Sequence, residues 1–346
     1  MAMIPVFYRA AYRISLRRSV SSTFTIGLSL ITVSLVFALF AGELFKDHPL
    51  LIMLQAAVYG AGDAFYWYSA HTCTQIVTTG KRRNVFLSYN GLLCNVAAIA
   101  APVFSTSVLS ASDSELAGYK LILASIIVVF VIVILIAFSI NIHPEDREDR
   151  LKEVVHLSSA DKRIRKFYTS FFTYGLVNGL GLSLLSLLIF RAAGSGNAYS
   201  RMQILFYLIT VLGFYLVKYF FSGGFLAVTF KAGAAFRVAA ILLLVVMPNF
   251  TGAVIHGVLA AVSNVFFDNS ISYIAGNLID SFPGQKSALI AARESMLAFG
   301  RIASMVIVLM FYFLLPGDAY LTAAPAILSL AAIVTERMLL SCRKEE

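Results

Sequence analysis

The sequence predicts an all-α membrane protein that crosses the bilayer about ten times. Hydrophobic residues make up 59% of the 346 residues and charged residues 13%, against roughly 45–50% and about 25% in soluble globular domains. The mean hydropathy is +0.83. The apolar residues also fall in runs near the ~20 residues that a helix needs to cross the bilayer core. This composition excludes a water-soluble fold and an intrinsically disordered chain.

Ten apolar segments meet or approach this length, and we name them a to j in chain order. Segments a to d are predicted at Ser21–Ala41, Leu50–Thr78, Val85–Leu109 and Tyr119–Ile142. Segments e to j are predicted at Phe167–Phe190, Met202–Phe221, Ala232–Met247, Gly252–Ile279, Ser287–Leu315 and Tyr320–Leu340.

The charges inside the segments and the prolines between them support these predictions. Segment a carries no charge, b is interrupted only by Asp63 and His71, and c and d are long apolar runs. Segment g is the shortest, because Lys231 and Arg237 interrupt the apolar sequence there. Prolines are tolerated between helices rather than inside them, and four of them stand between segments, namely Pro49, Pro248, Pro283 and Pro316.

The distribution of Lys and Arg predicts the orientation. One set of loops, which includes both termini, the basic turn Lys81–Arg83 and the stretch 143–166, carries 22 of the 27 Lys and Arg residues with the adjoining helix ends. The other set carries four. Since basic loops stay on the cytoplasmic side, we expect a multi-pass protein of a bacterial cytoplasmic membrane with both termini cytoplasmic. The net charge of +9 then fits contact with anionic lipid, and no nucleic-acid partner is expected.

The highly charged stretch 143–166 divides the chain. Its acids and bases are mixed, which is typical of a solvated linker with or without a short surface helix, and a regulatory or partner site is the alternative. We expect an N-terminal transmembrane bundle of four full helices over 1–142, a cytoplasmic loop over 143–166 and a six-helix bundle over 167–346.

An internal repeat relates the two bundles. A shift of 204 residues superposes segments a to d on g to j, and Asp63 then falls one position from Asp268. Segments e and f have no partners, and residues 1–18 would match the end of segment f. Repeats of this kind are common in transporters. The pattern predicts two six-helix halves, of which the first lacks its first helix and most of its second.

On these features the chain resembles the major facilitator superfamily (MFS) of secondary transporters, as helices three to twelve of a twelve-helix plan. The charged loop lies between the matched halves. The basic turn Lys81–Arg83 follows segment b, as a basic turn follows the family's fourth helix, and Tyr59–Gly62 supplies the Gly-rich sequence usual there. The resemblance implies transport by alternating access, with segments b, e and h lining a central cavity.

The N-terminal stretch Tyr12–Arg18 is similar to the family's loop motif Asp-Arg-x-Gly-x-[Arg/Lys]-[Arg/Lys]. Arg13, Arg17 and Arg18 match its basic positions and are predicted gating or structural charges. Tyr12 stands at the Asp position and the Gly position is also changed, so the motif's gating role does not carry over directly.

Segment b offers one candidate binding face. Tyr59, Asp63, Trp67 and His71 recur every four residues, which places them on one side of a helix, and Tyr66 borders them. An ionisable residue at mid-membrane is costly and usually faces a cavity or a partner, and aromatic rings offer flat contact area and bind cations. Interhelix hydrogen bonding with aromatic packing is the alternative, and for His71 a structural role is favoured.

Segments e and h offer the other candidates. Asn264, Asp268 and Ser272 form a stripe of the same spacing on h, while Tyr174 and Asn178 lie four apart on e. We predict that Asp63 and Asp268 face one central cavity and carry proton or cation coupling.

Two charged residues on segment i are expected to have a structural or gating role instead of binding substrate. Glu294 and Arg301 lie seven residues apart on one helix face, and an ion pair or gate contact is favoured over substrate binding.

These observations predict a secondary transporter for a small molecule, with a proton or cation as the coupling ion and no cofactor or metal. Acids beside aromatic rings favour a cationic or aromatic substrate. A polytopic membrane enzyme acting on lipid-linked substrates is the first alternative, and a truncated, non-transporting remnant or scaffold is the second. Self-association or a separate N-terminal piece would fill the place of the lacking helices.

Overall fold

The computed structural model describes residues 4–146, 148–220 and 225–342, and every regular element in these ranges is helical. The α-helices are α1 Ile4–Arg17, α2 Val20–Ala41, α3 Pro49–Val77, α4 Gly80–Ala111, α5 Glu115–Ser139, α6 Leu151–Ala160, α7 Lys162–Leu180, α8 Ser186–Ala193, α9 Gly196–Phe220, α10 Leu226–Val246, α11 Phe250–Ser263, α12 Asn269–Asp280, α13 Lys286–Leu314, α14 Tyr320–Ser329 and α15 Ala331–Leu340. The predicted all-α class is confirmed. The first three residues of the predicted N-terminal helix end lie outside the described ranges.

Nine helical spans within the described ranges are long and apolar enough to cross a bilayer. They correspond to segment a and segments c to j. Segment b is also helical, as the 29-residue α3, and it would extend over about 43 Å. It is not among the nine because polar residues such as Gln55, Asp63 and Gln75 lower its hydropathy. Its membrane crossing therefore stays a prediction.

The helices of segments c, e, f and g begin five or six residues before their predicted starts, at Gly80, Lys162, Gly196 and Leu226. Segment e begins at Lys162 instead of Phe167, because the Asp161 carboxylate caps the helix by accepting a 2.7 Å hydrogen bond from the backbone N–H of Arg163. Segment g begins at Leu226 instead of Ala232, since a helix tolerates a lysine whose long side chain can extend towards water. The predicted loop 143–166 also contains the short helix α6.

Segments e and h are not the continuous α-helices that the sequence predicts. A π turn over Gly181–Leu185 separates α7 from α8, and a second over Asn264–Asp268 separates α11 from α12. Such turns are rare and often lie at functional sites. Apolar periodicity does not reveal them, because the residues on both sides still fit a helix.

The chain forms two compact units. The first contains the described residues of Met1–Val77, Pro102–Val155 and Phe282–Ser295. The second contains those of Thr78–Ala101, His156–Ser281 and Met296–Glu346.

Glycines allow α2 and α3 to approach closely in the first unit. A Cβ added at Gly27 would lie 2.6 Å from the backbone nitrogen of Tyr66, and one at Gly62 would lie 2.8 Å from that of Ile31. Small residues at such contacts are typical of membrane helices. This packing fixes the rotation of α3, which carries the Asp63 face.

A pair of hydroxyl groups and one buried arginine join elements of the second unit. The Thr173 and Thr335 hydroxyls join α7 to α15 at 2.8 Å. Arg83, only 1% exposed, forms a 2.8 Å ion pair with Asp280 at the end of α12 and donates a 2.6 Å hydrogen bond to the Thr78 carbonyl. Of the basic residues in the first turn of α4, Arg83 is therefore buried and paired.

Candidate substrate and ion-coupling site

Asp268 is the centre of a polar network within the second unit. Its Oδ2 accepts a 3.0 Å hydrogen bond from Arg237 Nη2 on α10, and its Oδ1 accepts one of 3.1 Å from the Tyr174 hydroxyl on α7. Arg237 Nε also donates to Ser263 Oγ at 3.0 Å, and that hydroxyl donates to the Gly233 carbonyl at 2.8 Å. Asp268 thus has a permanent cation on one oxygen and a hydroxyl on the other.

Arg237 and Ser263 are the members of this network that the sequence pattern does not predict. The sequence presents Arg237 as a charge that shortens segment g, yet it lies eleven residues inside α10, about 16 Å from the start of the helix. Its guanidinium also lies 5.6 Å from the centre of the Phe267 ring. The signal that could have found it is the cost of an arginine at that depth, which requires a partner.

The two residues predicted on segment e, Tyr174 and Asn178, bind different partners. Tyr174 bonds to Asp268, and Asn178 Oδ1 accepts a 2.8 Å hydrogen bond from Arg301 Nε on α13. The Tyr174 ring packs edge-on against Phe267, with 6.1 Å between the ring centres. Arg301 is therefore a partner of Asn178, and its role as a structural or gating charge stays a prediction.

The predicted stripe on segment h is altered by the π turn. Asn264 and Asp268 are the two ends of that turn, so they do not have the regular spacing of an α-helix. The Ser272 hydroxyl donates a 2.9 Å hydrogen bond to the backbone carbonyl of Asp268. Asp268 alone of the three has its side chain in the network described above.

The face predicted on segment b is present in the first unit. α3 is uninterrupted from Tyr59 to His71, so the four-residue spacing is preserved, and the Trp67 and His71 rings stack at 5.4 Å with an interplanar angle of 30°. Trp67 is 41% exposed and Tyr59 44% exposed, while Asp63 is half-buried. Tyr66 packs between Phe24, at 5.2 Å, and the edge of Trp67.

His71 has a partner that the sequence did not predict. Its Nδ1 lies 3.0 Å from Glu294 Oε1 on α13, and Glu294 is only 1% exposed. Arg293 Nε donates to the same carboxylate oxygen at 2.9 Å, and Arg293 Nη2 also contacts it. Glu294 thus pairs with His71 and Arg293, and not with Arg301 on the same helix face.

The predicted gating arginines lie on α1. Arg13 forms a 3.0 Å ion pair with Asp149, whereas Arg17 and Arg18 are exposed. Tyr12, at the motif's Asp position, donates its hydroxyl hydrogen to the Glu148 carbonyl at 3.2 Å and accepts from the Arg150 backbone N–H at 2.9 Å. Burial raises the pKa of Tyr12 to about 12, so this hydroxyl stays protonated.

An acid from the charged stretch caps the start of α13. Asp146, 3% exposed, accepts a 2.9 Å hydrogen bond from the backbone N–H of Ser287. Lys286 lies 3.0 Å from Glu145 beside it. Burial raises the pKa of Asp146, although the bond from Ser287 acts in the opposite direction.

In the part of the chain that the structure describes, no group of three or more His, Cys, Asp or Glu side chains is placed to hold a metal ion. The polar side chains that the structure describes include one Arg–Asp pair with hydroxyl donors, one His–Glu–Arg cluster and one aromatic face. Their chemistry suits hydrogen bonds and ring contacts to a solute.

The structure is similar to known transporters over nearly its whole length. The E. coli fucose:proton symporter FucP superposes with a TM-score of 0.73 at 15% identity, covering 99% of this chain and 88% of that one. The proton:xylose symporter XylE gives 0.75 at 10% identity, covering 98% and 83%. A bacterial homologue of the iron transporter ferroportin gives 0.66 at 13%, covering 98% and 88%.

In sequence, the chain is 21% identical over 333 residues to the uncharacterized protein YqgE of Bacillus subtilis (strain 168), covering 95% of this chain and 76% of that protein. No family model matches the chain. The structural matches confirm that this multi-pass membrane protein has the MFS fold.

Proposed function

We propose that the protein is a secondary transporter that moves a small molecule across the membrane by alternating access, coupled to a proton or cation gradient. The observation that supports this most strongly is the MFS fold over nearly the whole chain. Charged side chains inside apolar spans add support, since such residues are kept in membranes mainly where a pathway or a partner uses them.

We infer the substrate class from the face of α3. Tyr59 and Trp67 expose ring surface on both sides of Asp63. Rings next to a carboxylate favour a substrate with an aromatic or cationic part. The Asp268 carboxylate is instead paired with the Arg237 cation. Together with the Tyr174 hydroxyl beside it, this carboxylate offers hydrogen bonds to a polar group of the substrate.

The chain's single tryptophan provides a direct binding assay. Trp67 is the only Trp in the sequence, so quenching of its emission in the purified protein reports binding at the α3 face. A panel of amines, aromatic acids, sugars and peptides would be titrated. Trp67→Phe with a tryptophan introduced at the lipid-exposed Phe138 is the control, because Phe138 lies 70% exposed on α5. A ligand that quenches both proteins equally does not bind at this face.

Transport of a ligand found in this way is then measured in proteoliposomes. Asp63→Asn and Asp268→Asn should each reduce accumulation driven by an imposed gradient, because each removes a charge that we assign to coupling. Expression should persist in both variants. Normal accumulation by a substituted protein would exclude that residue from coupling, and absence of solute movement by the native chain would exclude the transporter function.

A further inference from the structure

Arg301 carries a charge in the middle of a long helix, and none of the described residues pairs with it as an acid. It lies fifteen residues after the start of α13 and thirteen before its end, about 22 Å and 20 Å along the helix. Its hydrogen bond in the described part of the chain is to Asn178, whose Oδ1 accepts from Nε at 2.8 Å. A charge at such a depth is costly and is usually kept for a partner or a function.

The acids of the second unit have other cationic neighbours. The described residues of this unit contain five acids. Glu336 interacts with the charge of Lys231. The other four form ion pairs, namely Asp161–Arg163, Asp268–Arg237, Asp280–Arg83 and Asp318–Arg191. The positive charge of Arg301 is therefore not compensated by any of these five acids.

Close packing holds Arg301 and Asn178 together. A Cβ added at Gly179, next to Asn178, would lie 2.9 Å from the Cα of Arg301. α7 and α13 therefore meet here without a side chain between their backbones, as is typical of small residues in membrane helices. Since Asn178 holds the Nε edge of the guanidinium, less freedom is lost when a ligand binds the other edge.

The other edge of the guanidinium determines the kind of ligand. Arginine has five N–H donors, and Asn178 accepts the one on Nε. The terminal nitrogens Nη1 and Nη2 have no partner among the described residues, and Arg301 is half-buried rather than fully enclosed. Two such nitrogens match two oxygens of a carboxylate or a phosphate in a planar, bidentate pair.

The neighbouring charges favour a ligand with a single negative charge. Arg237 and Arg301 both act electrostatically on Tyr174, which donates to Asp268. Two arginines and one acid leave one positive charge in excess around this hydroxyl. One carboxylate neutralises that charge, whereas a doubly charged phosphate would leave a negative charge near Asp268.

We propose that Arg301 binds the carboxylate group of an organic monocarboxylic acid through its two terminal nitrogens. This inference rests on the proposed transport function and narrows its substrate class. Of the solutes in the titration panel, aromatic acids carry the required group and amines do not. The ion pair with Glu294 that the sequence favours for Arg301 is not formed, because Glu294 pairs with His71 and Arg293.

The first test uses the purified full-length protein without substitution. Phenylglyoxal modifies accessible arginines, and mass spectrometry measures the rate at each of them. Benzoate, phenylacetate, butyrate and lactate are added in turn, with their amides as matched uncharged controls. At least one acid should slow the modification of Arg301 by about threefold or more, and its amide should not. Arg201, exposed on α9, is the internal control and should react at the same rate throughout.

Two outcomes of this test would overturn the inference. One is an Arg301 that phenylglyoxal does not modify, because the side chain would then be closed to solutes. The other is an Arg301 whose rate none of the acids changes. Slowing by inorganic phosphate but by no carboxylate would assign the site to a different anion and would also contradict the proposal.

The second test compares thermal unfolding of substituted proteins. Without ligand, Arg301→Gln should unfold at the native temperature or above it, since an uncompensated charge is removed from a span. A structural ion pair would give a lower temperature instead. The acid that protects Arg301 should raise the unfolding temperature of the native protein. Arg301→Gln should need at least about tenfold more acid for the same rise.

Two further variants complete this test. Arg301→Lys keeps the charge without the bidentate geometry and should need an intermediate concentration of acid. Arg201→Gln removes an exposed arginine and should respond like the native protein. An equal response of Arg301→Gln and the native protein would overturn the inference.

The two proposals fail in different ways. If an acid protects Arg301 and no solute enters proteoliposomes, the transport function fails while the carboxylate site stands. If a solute found with the Trp67 assay accumulates equally in the native protein and in Arg301→Gln, and no acid protects Arg301, the carboxylate site fails while the transport function stands.

Discussion

At the residue scale, the second unit depends on the pairing of Arg237 with Asp268. Both side chains are mostly shielded, with 18% and 35% of their surface exposed, and each has a second hydrogen-bond partner. Removing one member of a buried pair leaves the other charge uncompensated, which costs more than removing both. The effect on stability of substituting either residue can therefore be predicted and measured independently of transport.

Arg237→Leu and Asp268→Asn should each destabilise the purified protein by about 1–3 kcal/mol, below the full cost of a completely buried pair because Asp268 is partly exposed. The double variant should lose less than the sum of the two. Thermal unfolding in detergent measures the double-mutant cycle. The exposed pair Arg191–Asp318, at 3.7 Å with 53% and 77% exposure, is the control and should show coupling near zero. Equal coupling in the two cycles would contradict the prediction.

At the element scale, the contact between α2 and α3 positions the candidate face. Gly62 lies against the backbone of Ile31, whereas an added Cβ at Gly60, two residues earlier on the same helix, would have its nearest neighbour, an Ile4 side-chain carbon, at 3.8 Å. Two glycines of one helix therefore differ in the space around them but not in their helical environment.

Gly62→Ala should lower stability by about 1–3 kcal/mol, because the new methyl group forces two helices apart. Gly60→Ala should be neutral or stabilising by up to about 1 kcal/mol, because alanine favours the helix and fits the space. Thermal unfolding of the two proteins, together with the Trp67 emission maximum, distinguishes them. If both substitutions had the same effect, close packing at Gly62 would not be the cause.

The cap of α13 predicts a dependence on pH. Burial raises the pKa of Asp146 in the folded protein above its unfolded value near 4. Its contribution to stability is then fully present below the unfolded pKa and is lost as the pH rises through the folded pKa. Asp146→Asn keeps a capping oxygen without the charge, so its unfolding temperature should fall less than that of the native protein as the pH rises above about 4. Parallel pH curves for the two proteins would contradict this.

At the scale of the whole molecule, the distribution of basic residues predicts a cytoplasmic side that can be mapped directly. In a background in which Cys73, Cys94 and Cys342 are replaced, a cysteine at Ser159 should resist an impermeant thiol reagent added outside, and one at Ser195 should react. Both positions are exposed in the structure, so reactivity depends on the side of the membrane. The reverse pattern would invert the predicted topology.

The sequence predicted the helices well and their partners poorly. Long apolar runs with prolines between them predict that a span is present but not its first residue, and the α3 face follows from four-residue spacing. The pairs His71–Glu294 and Arg237–Asp268 join different segments, and periodicity within one segment carries no information about its neighbours. The π turns were missed for a related reason, because one extra residue in a turn leaves the apolar composition of a segment unchanged.

Each of the two π turns interrupts a long helical span of the second unit. α7 and α8 meet at Gly181–Leu185, and α11 and α12 meet at Asn264–Asp268. Serine hydroxyls bond to carbonyls within these joints, Ser186 to Gly181 at 3.1 Å and Ser270 to Phe266, which supplies partners that lipid would not provide. We expect any bending of these spans to occur at the π turns rather than in the regular helices beside them. Asp268 ends the second of these turns, so bending there would change the distance between its carboxylate and Arg237.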